Sequence, residues 1–307
     1  MFWYIILVFM LGMYVVLDGY DFGAGIVHLL FAKTDDERAA IRNSIGPFWD
    51  ANEVWLIASG GVLFFAFPTL YASAFSGFYL PLMMVLWFLI FRAIGLELRG
   101  QIHNRLWEKF WEKAFGIASL FLAIFFGAAL GNVVRGVNLG MVENGVSTQE
   151  PQYFFLQLWN PTLDPLAEVH GIIDWFTILL GVVSVITLTI HGSNWIILKT
   201  STDLNRRLKG IIFKLNIALV LLVIGTAALW QYVKPFPLNN LIGHAWLWIF
   251  PLIAGIGLIG QFWIKKFKKD GMGFLFSTLF ILGSFATTVA SLFPNVLPST
   301  NSVNPSL

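Results

Sequence analysis

Long apolar stretches separated by short polar segments dominate the sequence. Each is close to or above the roughly 20 residues that an α-helix needs to cross the hydrocarbon core of a bilayer. The stretches lie near residues 2–31, 44–66, 79–98, 114–134, 172–196, 211–232, 244–264 and 272–293. None alternates in the way of a barrel strand, so helices are expected. The pattern predicts an all-α polytopic transmembrane bundle with eight helices.

The composition supports a membrane protein and excludes several kinds of site. Hydrophobic residues make up 57% of the chain and charged residues 12%, whereas a soluble domain has about 25% charged residues. The chain has no cysteine, which excludes disulfides, thiolate-bound haem and iron–sulfur clusters. The net charge of +2 is small and gives no reason to expect a nucleic-acid partner.

The distribution of basic residues predicts the orientation. Most of the 19 Lys and Arg residues fall in four alternate loops, and such loops face the cytoplasm. We therefore expect the N-terminus outside. The basic residues of these loops are Lys33, Arg38, Arg42, Arg99, Arg105, Lys109, Lys113, Lys199, Arg206, Arg207, Lys209, Lys214, Lys265, Lys266, Lys268 and Lys269.

The spans group into four segments. We expect a first transmembrane four-helix bundle over residues 1–134 and an external loop over 135–171. A second transmembrane four-helix bundle would follow over 172–293, and 294–307 would form an external tail. Nothing in the sequence suggests a repeat or a separate soluble domain.

Ionisable residues inside the predicted helices are the candidates for function, because each costs several kcal/mol in lipid unless it is paired or hydrated. Asp18 and Asp21 are three residues apart in the first span and share a face. Asp50 and Glu53 have the same spacing in the second, and Arg92 lies in the third.

The expected depths of these charges are similar. At 1.5 Å per residue, Asp21 lies about 15 Å from the cytoplasmic end of its span. Asp50 lies about 9 Å in from Ser44, and Arg92 about 10 Å in from Arg99. We therefore expect Arg92 to pair with Asp50 or Asp21 in the cytoplasmic half of the membrane.

Two interpretations of this cluster stay open. In the first, Arg92 neutralises one carboxylate and locks three helices together. In the second, the four acids form a proton or cation path, because they outnumber the single Arg92 and buried carboxylates serve in proton relays. The residues alone slightly favour a proton or cation path over a purely structural ion pair that joins three helices.

The five histidines are not expected to ligate haem or metal. His103 falls in a cytoplasmic loop, and His170 and His244 fall at outer helix ends. His28 and His191 lie near cytoplasmic ends, where we expect them to face lipid headgroups. The sequence thus predicts that this chain binds no haem and no metal.

Four motifs identify a family. They are Leu17–Gly25 (LDGYDFGAG), Asn43–Leu56 (NSIGPFWDANEVWL), Tyr71–Tyr79 (YASAFSGFY) and Phe91–Gly95 (FRAIG). Together they resemble subunit II of the cytochrome bd quinol oxidases, and looser matches extend the resemblance over essentially the whole chain.

The resemblance implies a subunit of a respiratory oxidoreductase in the prokaryotic inner membrane. Such an enzyme oxidises quinol, reduces dioxygen to water and builds a proton gradient by taking up cytoplasmic protons. Its two b-type haems and one d-type haem belong to the partner, subunit I. Subunit II has nine helices in the family, as two four-helix bundles plus one, so this chain is expected to stop before a ninth helix. A small extra subunit and a structural quinone stay open.

The resemblance also implies roles for individual residues. The position of Asp50 lines a hydrophilic path from the cytoplasm, and those of Asp21, Trp49 and Arg92 are functionally important. The position of Trp55 borders an oxygen tunnel in some members. Glu53 departs from the family, which often has Gln at that position, and adds an acid beside Asp50.

A proton- or cation-coupled secondary transporter is the alternative function. Transporters usually carry helices broken near the midplane at corresponding positions of two halves. In this sequence Pro47 and Pro81 lie near helix ends, and the interruption at Pro251 has no evident counterpart. The pattern therefore favours the oxidase subunit.

Overall fold

The computed structural model describes residues 1–137, 142–143, 146–147, 158–167, 171–201, 203–234, 236–267 and 270–300. Within these residues the fold is almost entirely helical. The α-helices are α1 (Phe2–Leu30), α2 (Asp35–Ile45), α3 (Trp49–Ala66), α4 (Pro68–Gly77), α5 (Tyr79–Glu97), α6 (Arg105–Arg135), α7 (Trp175–Lys199), α8 (Asp203–Val233), α9 (Phe236–Gly243), α10 (Ile249–Gly260) and α11 (Gly271–Leu292). Short 3-10 helices cover Arg99–Gln101, Ala245–Trp248 and Gln261–Trp263.

Among the residues that the structure describes, seven helical segments are long and apolar enough to cross a membrane. They correspond to all the predicted spans except 44–66, and the all-α transmembrane class is confirmed. The only strands in the described part are β1 (Val142–Glu143) and β2 (Val146–Ser147), which pair antiparallel. The orientation, the exact number of crossings and the division into two bundles stay predictions.

The expected span 44–66 is wrong at its start. An amphipathic helix, α2, begins after Thr34, whose hydroxyl accepts a hydrogen bond from the Glu37 amide and caps the first turn. It ends at Ile45, and the chain then turns through residues 46–48 before α3 begins at Trp49. Pro47 falls in this turn, where its missing N–H interrupts no helix.

The predicted span near 244–264 is made of three short helices. Two 3-10 segments, Ala245–Trp248 and Gln261–Trp263, flank α10. Pro251 is the third residue of α10, within the first turn, where an amide has no intrahelical acceptor. The proline therefore does not break a membrane helix.

Helix α1 lies at the centre of the bundle and packs against α3, α6, α7 and α11. Its closest approach is to α7, where Gly23 faces the backbone of Leu188 and Gly192. A side chain at Gly23 would collide with that backbone, so the glycine is what permits the contact. With α3, α5 and α6 packed around its other sides, the middle of α1 is buried, including Asp18 and Asp21.

The segment that follows α6 and the C-terminal segment meet at one end of the helix bundle. Val137 follows α6 and pairs with Ser299 of the C-terminal segment. Leu297 from the same segment is buried with Leu70 and Ile172. Most of the predicted loop 135–171 lies outside the described residues, so its expected character stays a prediction.

Candidate functional site: a buried arginine and its carboxylates

Arg92 of α5 lies at the centre of the candidate site and is fully buried. Its Nη1 donates to Asp18 Oδ1 of α1 at 2.6 Å, and its Nη2 donates to Glu53 Oε1 of α3. Its guanidinium carbon also lies 4.7 Å from the ring centroid of Phe22. One cation thus connects three helices, and two carboxylates offset the cost of burying it.

The second acid of α1 has a different partner. Asp21 is fully buried, and its Oδ2 accepts a hydrogen bond of 2.8 Å from Asn52 Nδ2. The same amide nitrogen lies 2.7 Å from the Tyr20 hydroxyl. The hydrogen-bonding partner of Asp21 on α3 is therefore a neutral amide, whereas Asp18 forms its ion pair with the charged guanidinium of Arg92.

The expected ion pair of Arg92 with Asp50 is not formed, and Asp21 interacts with Arg92 electrostatically without an ion-pair contact. Arg92 pairs with Asp18 and Glu53, as described above. Asp50 is exposed on the surface of the chain, because α3 begins only at Trp49 and Asp50 belongs to its first turn. The depth of about 9 Å expected for Asp50 assumed a helix that runs on from Ser44. In the structure α2 ends at Ile45 and α3 begins at Trp49, so Asp50 lies at the start of its helix.

Glu53 connects the exposed and the buried acids. It lies three residues after Asp50 and thus on the same side of α3. Its side chain is 25% exposed, while Asp18 and Arg92 are 0% exposed. Glu53 is therefore where the buried cluster reaches the surface of the chain.

The two tryptophans of α3 frame this site. Trp49 is buried and donates from Nε1 to Glu97 Oε1 of α5 at 3.2 Å. Trp55 is half-buried, and its ring centroid lies 6.1 Å from that of Phe9, edge to face. Trp49 ties α3 to α5 beside the acids, and Trp55 packs α3 against α1.

Two histidines lie deeper than their sequence positions suggest. His28 and His191 were expected at headgroups, and the structure buries both. His191 Nε2 donates to the Val16 carbonyl oxygen at 2.9 Å, and its Nδ1 lies 2.8 Å from Ser277 Oγ. The α1–α7 approach places the His191 ring against α1, whereas the His28 ring packs edge to face on Phe115 of α6.

The described histidines do not fit an iron ligand. Both ring nitrogens of His191 already have partners, and His28 Nε2 accepts from Arg42 Nη1 at 3.2 Å. His103 and His244 are exposed, and His170 lies outside the described residues. The described part also holds no group of three His, Asp or Glu side chains suited to a metal ion.

Sequence patterns do not single out several members of the site. Asn52 donates to Asp21 and to the Tyr20 hydroxyl, and Tyr14 lies one turn before Asp18 on the same face of α1. Their spacing from the acids was the available signal. At the opposite end of the bundle from Lys199, Arg135 forms a buried ion pair with Asp174, which also caps α7.

A family model described as cytochrome bd terminal oxidase subunit II matches residues 1–306. The chain belongs to this family. Its position in the cytochrome bd family makes it an integral inner-membrane subunit of a terminal oxidase, a multi-subunit oxidoreductase.

Curated relatives of this subunit II come from distant bacteria. The "Probable cytochrome oxidase subunit 2" of Haemophilus influenzae is 31% identical, over 99% of this chain and 83% of the relative. The "Cytochrome bd-I ubiquinol oxidase subunit 2" of Escherichia coli is 30% identical with the same coverage. The "Cytochrome bd ubiquinol oxidase subunit 2" of Bacillus subtilis is 30% identical, over 97% of this chain and 81% of the relative.

A solved structure supports the fold. The bd oxidase from Geobacillus thermodenitrificans contains a chain that superposes with a TM-score of 0.71. The match covers 97% of this subunit II and 86% of that chain at 16% identity. At this identity the likeness concerns the architecture of the helix bundle alone.

Proposed function

We propose that this subunit II supports a haem-bearing subunit I that oxidises quinol and reduces dioxygen to water. Family membership supports the oxidase, and two relatives are named ubiquinol oxidase subunits. Protons consumed in water formation come from the cytoplasm, which builds a proton gradient. A small extra subunit, a structural quinone and bound lipid are compatible with this assembly.

The two haems b and the haem d belong, in this proposal, to subunit I. The observation that supports this is the occupation of His191 and His28 by partners within the chain. The separated subunit II should show no haem bands in its optical spectrum, and the complex should show them. A stoichiometric haem in the separated chain that disappears when one histidine is replaced would contradict the proposal.

The proposed proton path begins at the first turn of α3. If the N-terminus is outside, this turn lies towards the cytoplasm. Asp50 is exposed there, and Glu53 lies one turn further into the bundle with its carboxylate on Arg92. Asp18 lies on the other side of the guanidinium. The contact of Glu53 with Arg92, at the border between exposed and buried acids, is the single observation that carries this path.

The exposed stripe of α3 supports an interface with subunit I. Its residues follow helical spacing, and all but the first are apolar or small: Asp50, Val54, Ile57, Gly61 and Phe64. A carboxylate is costly against lipid, so a protein surface or water has to cover Asp50. Subunit I docked on this stripe would place the path beside the enzyme's oxygen-reducing centre.

The test is the turnover of purified complexes that carry Asp50→Asn and Asp50→Asn/Glu53→Gln. We expect the double variant to slow quinol-driven oxygen consumption by about tenfold or more, because proton-transfer groups typically contribute at least that much. Glu53 should partly substitute in the single variant. Rates are normalised to haem d.

Asp36→Asn is the matched control, because Asp36 is an exposed acid in the first turn of α2. It should leave turnover unchanged. Wild-type turnover in the double variant would mean that protons reach the haem through subunit I alone, and that Asp50, Glu53, Asp18, Asp21 and Arg92 are structural.

The transporter alternative is less well supported. Helices α1, α6, α7, α8 and α11 are continuous over their described lengths. Pro251 lies in the first turn of α10 rather than at a break near the midplane. The family match concerns an oxidase subunit over the whole chain.

A further inference from the structure

The buried ionic cluster contains polar atoms that the protein leaves without a hydrogen bond. Among the described residues, the Tyr14 hydroxyl, Asp18 Oδ2, Asp21 Oδ1 and Arg92 Nε are buried and have no hydrogen-bonding partner. Leaving such a group unpaired inside a protein is unfavourable, because it has lost its hydrogen bonds to water. A concentration of them in one place therefore indicates a ligand that satisfies several at once.

Tyr14 is aimed at this cluster from the outer side. It precedes Asp18 by one turn of α1 on the same face of the helix, within electrostatic range of the Asp18 carboxylate and of Arg92. Its ring is held edge to face by Phe22 and Phe126, with centroid distances of 6.4 and 5.7 Å. The residue is 3% exposed, so its hydroxyl has no access to bulk water.

The donors and acceptors around this point suit water. A buried water typically makes about three hydrogen bonds to otherwise unpaired groups. Arg92 Nε offers a donor, Asp18 Oδ2 an acceptor, and the Tyr14 hydroxyl either. Asp21 adds a further unpaired oxygen, and it interacts electrostatically with both Asp18 and Arg92.

We propose that Tyr14, Asp18 and Arg92 hold an internal water site, and that Tyr14 is a positioning residue that orients this water against the Asp18 carboxylate. With this water, the row of polar groups that begins at Glu53 continues past Asp18 to Tyr14. Tyr14 lies nearer the N-terminus of α1, so with the N-terminus outside the row runs towards the outer half of the membrane. Its role in proton transfer rests on the proposed function, whereas the water site itself does not.

The experiment compares Tyr14→Phe with Tyr4→Phe in the complete oxidase. Both changes remove one hydroxyl from α1, and the Tyr4 hydroxyl donates to the Val289 carbonyl oxygen at 3.2 Å, far along the helix from the cluster. Infrared difference spectra recorded in ordinary and ¹⁸O-labelled water identify bands of internal water. Oxygen consumption is measured on the same preparations, normalised to haem d.

We expect the isotope-sensitive water bands in the wild type and Tyr4→Phe, and their loss in Tyr14→Phe. Turnover of Tyr14→Phe should fall about fivefold, the equivalent of one hydrogen bond of about 1 kcal/mol. Tyr4→Phe should turn over at the wild-type rate. The ring of Tyr14 is kept in Tyr14→Phe, so haem content should be unchanged.

The outcomes separate this inference from the proposed function. Unchanged water bands in Tyr14→Phe overturn the water site, whatever the Asp50→Asn/Glu53→Gln variant does. Lost bands with wild-type turnover overturn the positioning role. Lost bands together with wild-type turnover of the double variant support the water site and reject the path through Asp50 and Glu53.

Discussion

Ion pairs in this subunit differ in how much the fold depends on them. Arg92 is fully buried between Asp18 and Glu53, so the loss of Arg92 would leave two carboxylates without a counter-charge. Arg207 is one-third exposed and pairs with Glu37 at 2.8 Å. The Glu37 pair joins α2 to α8 near the protein surface: the Glu37 side chain is 10% exposed, and water reaches the pair through Arg207 and reduces its contribution.

The Glu37 pair gives a prediction with a defined pH range. Hydrogen bonds from Arg207 lower the pKa of Glu37 from 4.5 to about 2. A carboxyl group whose pKa is lowered by folding stabilises the folded state above its unfolded pKa, and the stabilisation disappears as pH falls through the folded value. Glu37→Gln should therefore lower the free energy of unfolding by about 1 kcal/mol at pH 7.

The measurement is the Tm of the purified complex at several pH values between 7 and 3. The difference between wild type and Glu37→Gln should be constant above pH 5 and shrink below the unfolded pKa of about 4.5. Asp35→Asn is the control on the same helix, because the Asp35 side chain is 89% exposed. A difference that does not change with pH would show that Glu37 acts through packing instead.

At the scale of helices, glycine contacts decide which elements lie together. The α1–α7 approach depends on Gly23 and Gly192, each of which faces the backbone of the other helix. Small residues at such crossings let helices pack closely in a membrane, where no hydrophobic effect drives association. This crossing holds His191 of α7 against the Val16 carbonyl oxygen of α1, while Asp18 and Asp21 face α5 and α3.

Gly23→Ala tests that crossing. The added methyl group would meet the Leu188 carbonyl, which belongs to backbone and cannot rotate away. We expect a loss of about 1–3 kcal/mol, as for other overpacked interiors, seen as a lower Tm and a lower yield of haem-containing complex. Gly60→Ala is the control, since a Cβ at Gly60 meets nothing within 4 Å. Equal behaviour of both variants would contradict the crossing.

At the scale of the whole molecule, the charge distribution predicts the orientation in the membrane. Helices α7 and α8 are joined near Lys199 and Arg206, while α6 ends near Arg135, which is neutralised by Asp174. The basic segments therefore collect at one end of the bundle. By the positive-inside rule this end is cytoplasmic.

Single cysteines test this orientation, because the chain has none of its own. Thr162→Cys and Lys266→Cys place a thiol at exposed positions of the two ends. A membrane-impermeant maleimide should label Thr162→Cys from outside the cell, and Lys266→Cys only after the membrane is opened. Labelling of both from the outside would contradict the predicted topology, and oxygen consumption by the labelled strains checks that the complexes are intact.

The sequence by itself determined the class of protein, the approximate spans and the family. These follow from lengths of apolar sequence, from the asymmetry of basic residues and from contiguous motifs, all of which are local along the chain. It also singled out Asp18, Asp21, Glu53 and Arg92, because ionisable residues in apolar segments are conspicuous without any structure.

The tertiary structure decided which of these charges meet. Helix spacing identifies residues that share a face of one helix but does not give the rotation of that helix against its neighbours. The sequence therefore suggested Asp50 or Asp21 as the partner of Arg92, whereas the structure pairs Arg92 with Asp18 and Glu53. The turn before Trp49 moved Asp50 to the surface. Burial of His191 depends on the α1–α7 contact, which joins residues 175 positions apart, and burial of His28 depends on Arg42 of α2 and Phe115 of α6. Such long-range packing leaves no periodic trace in the sequence, and it alone sets the partners of a buried charge.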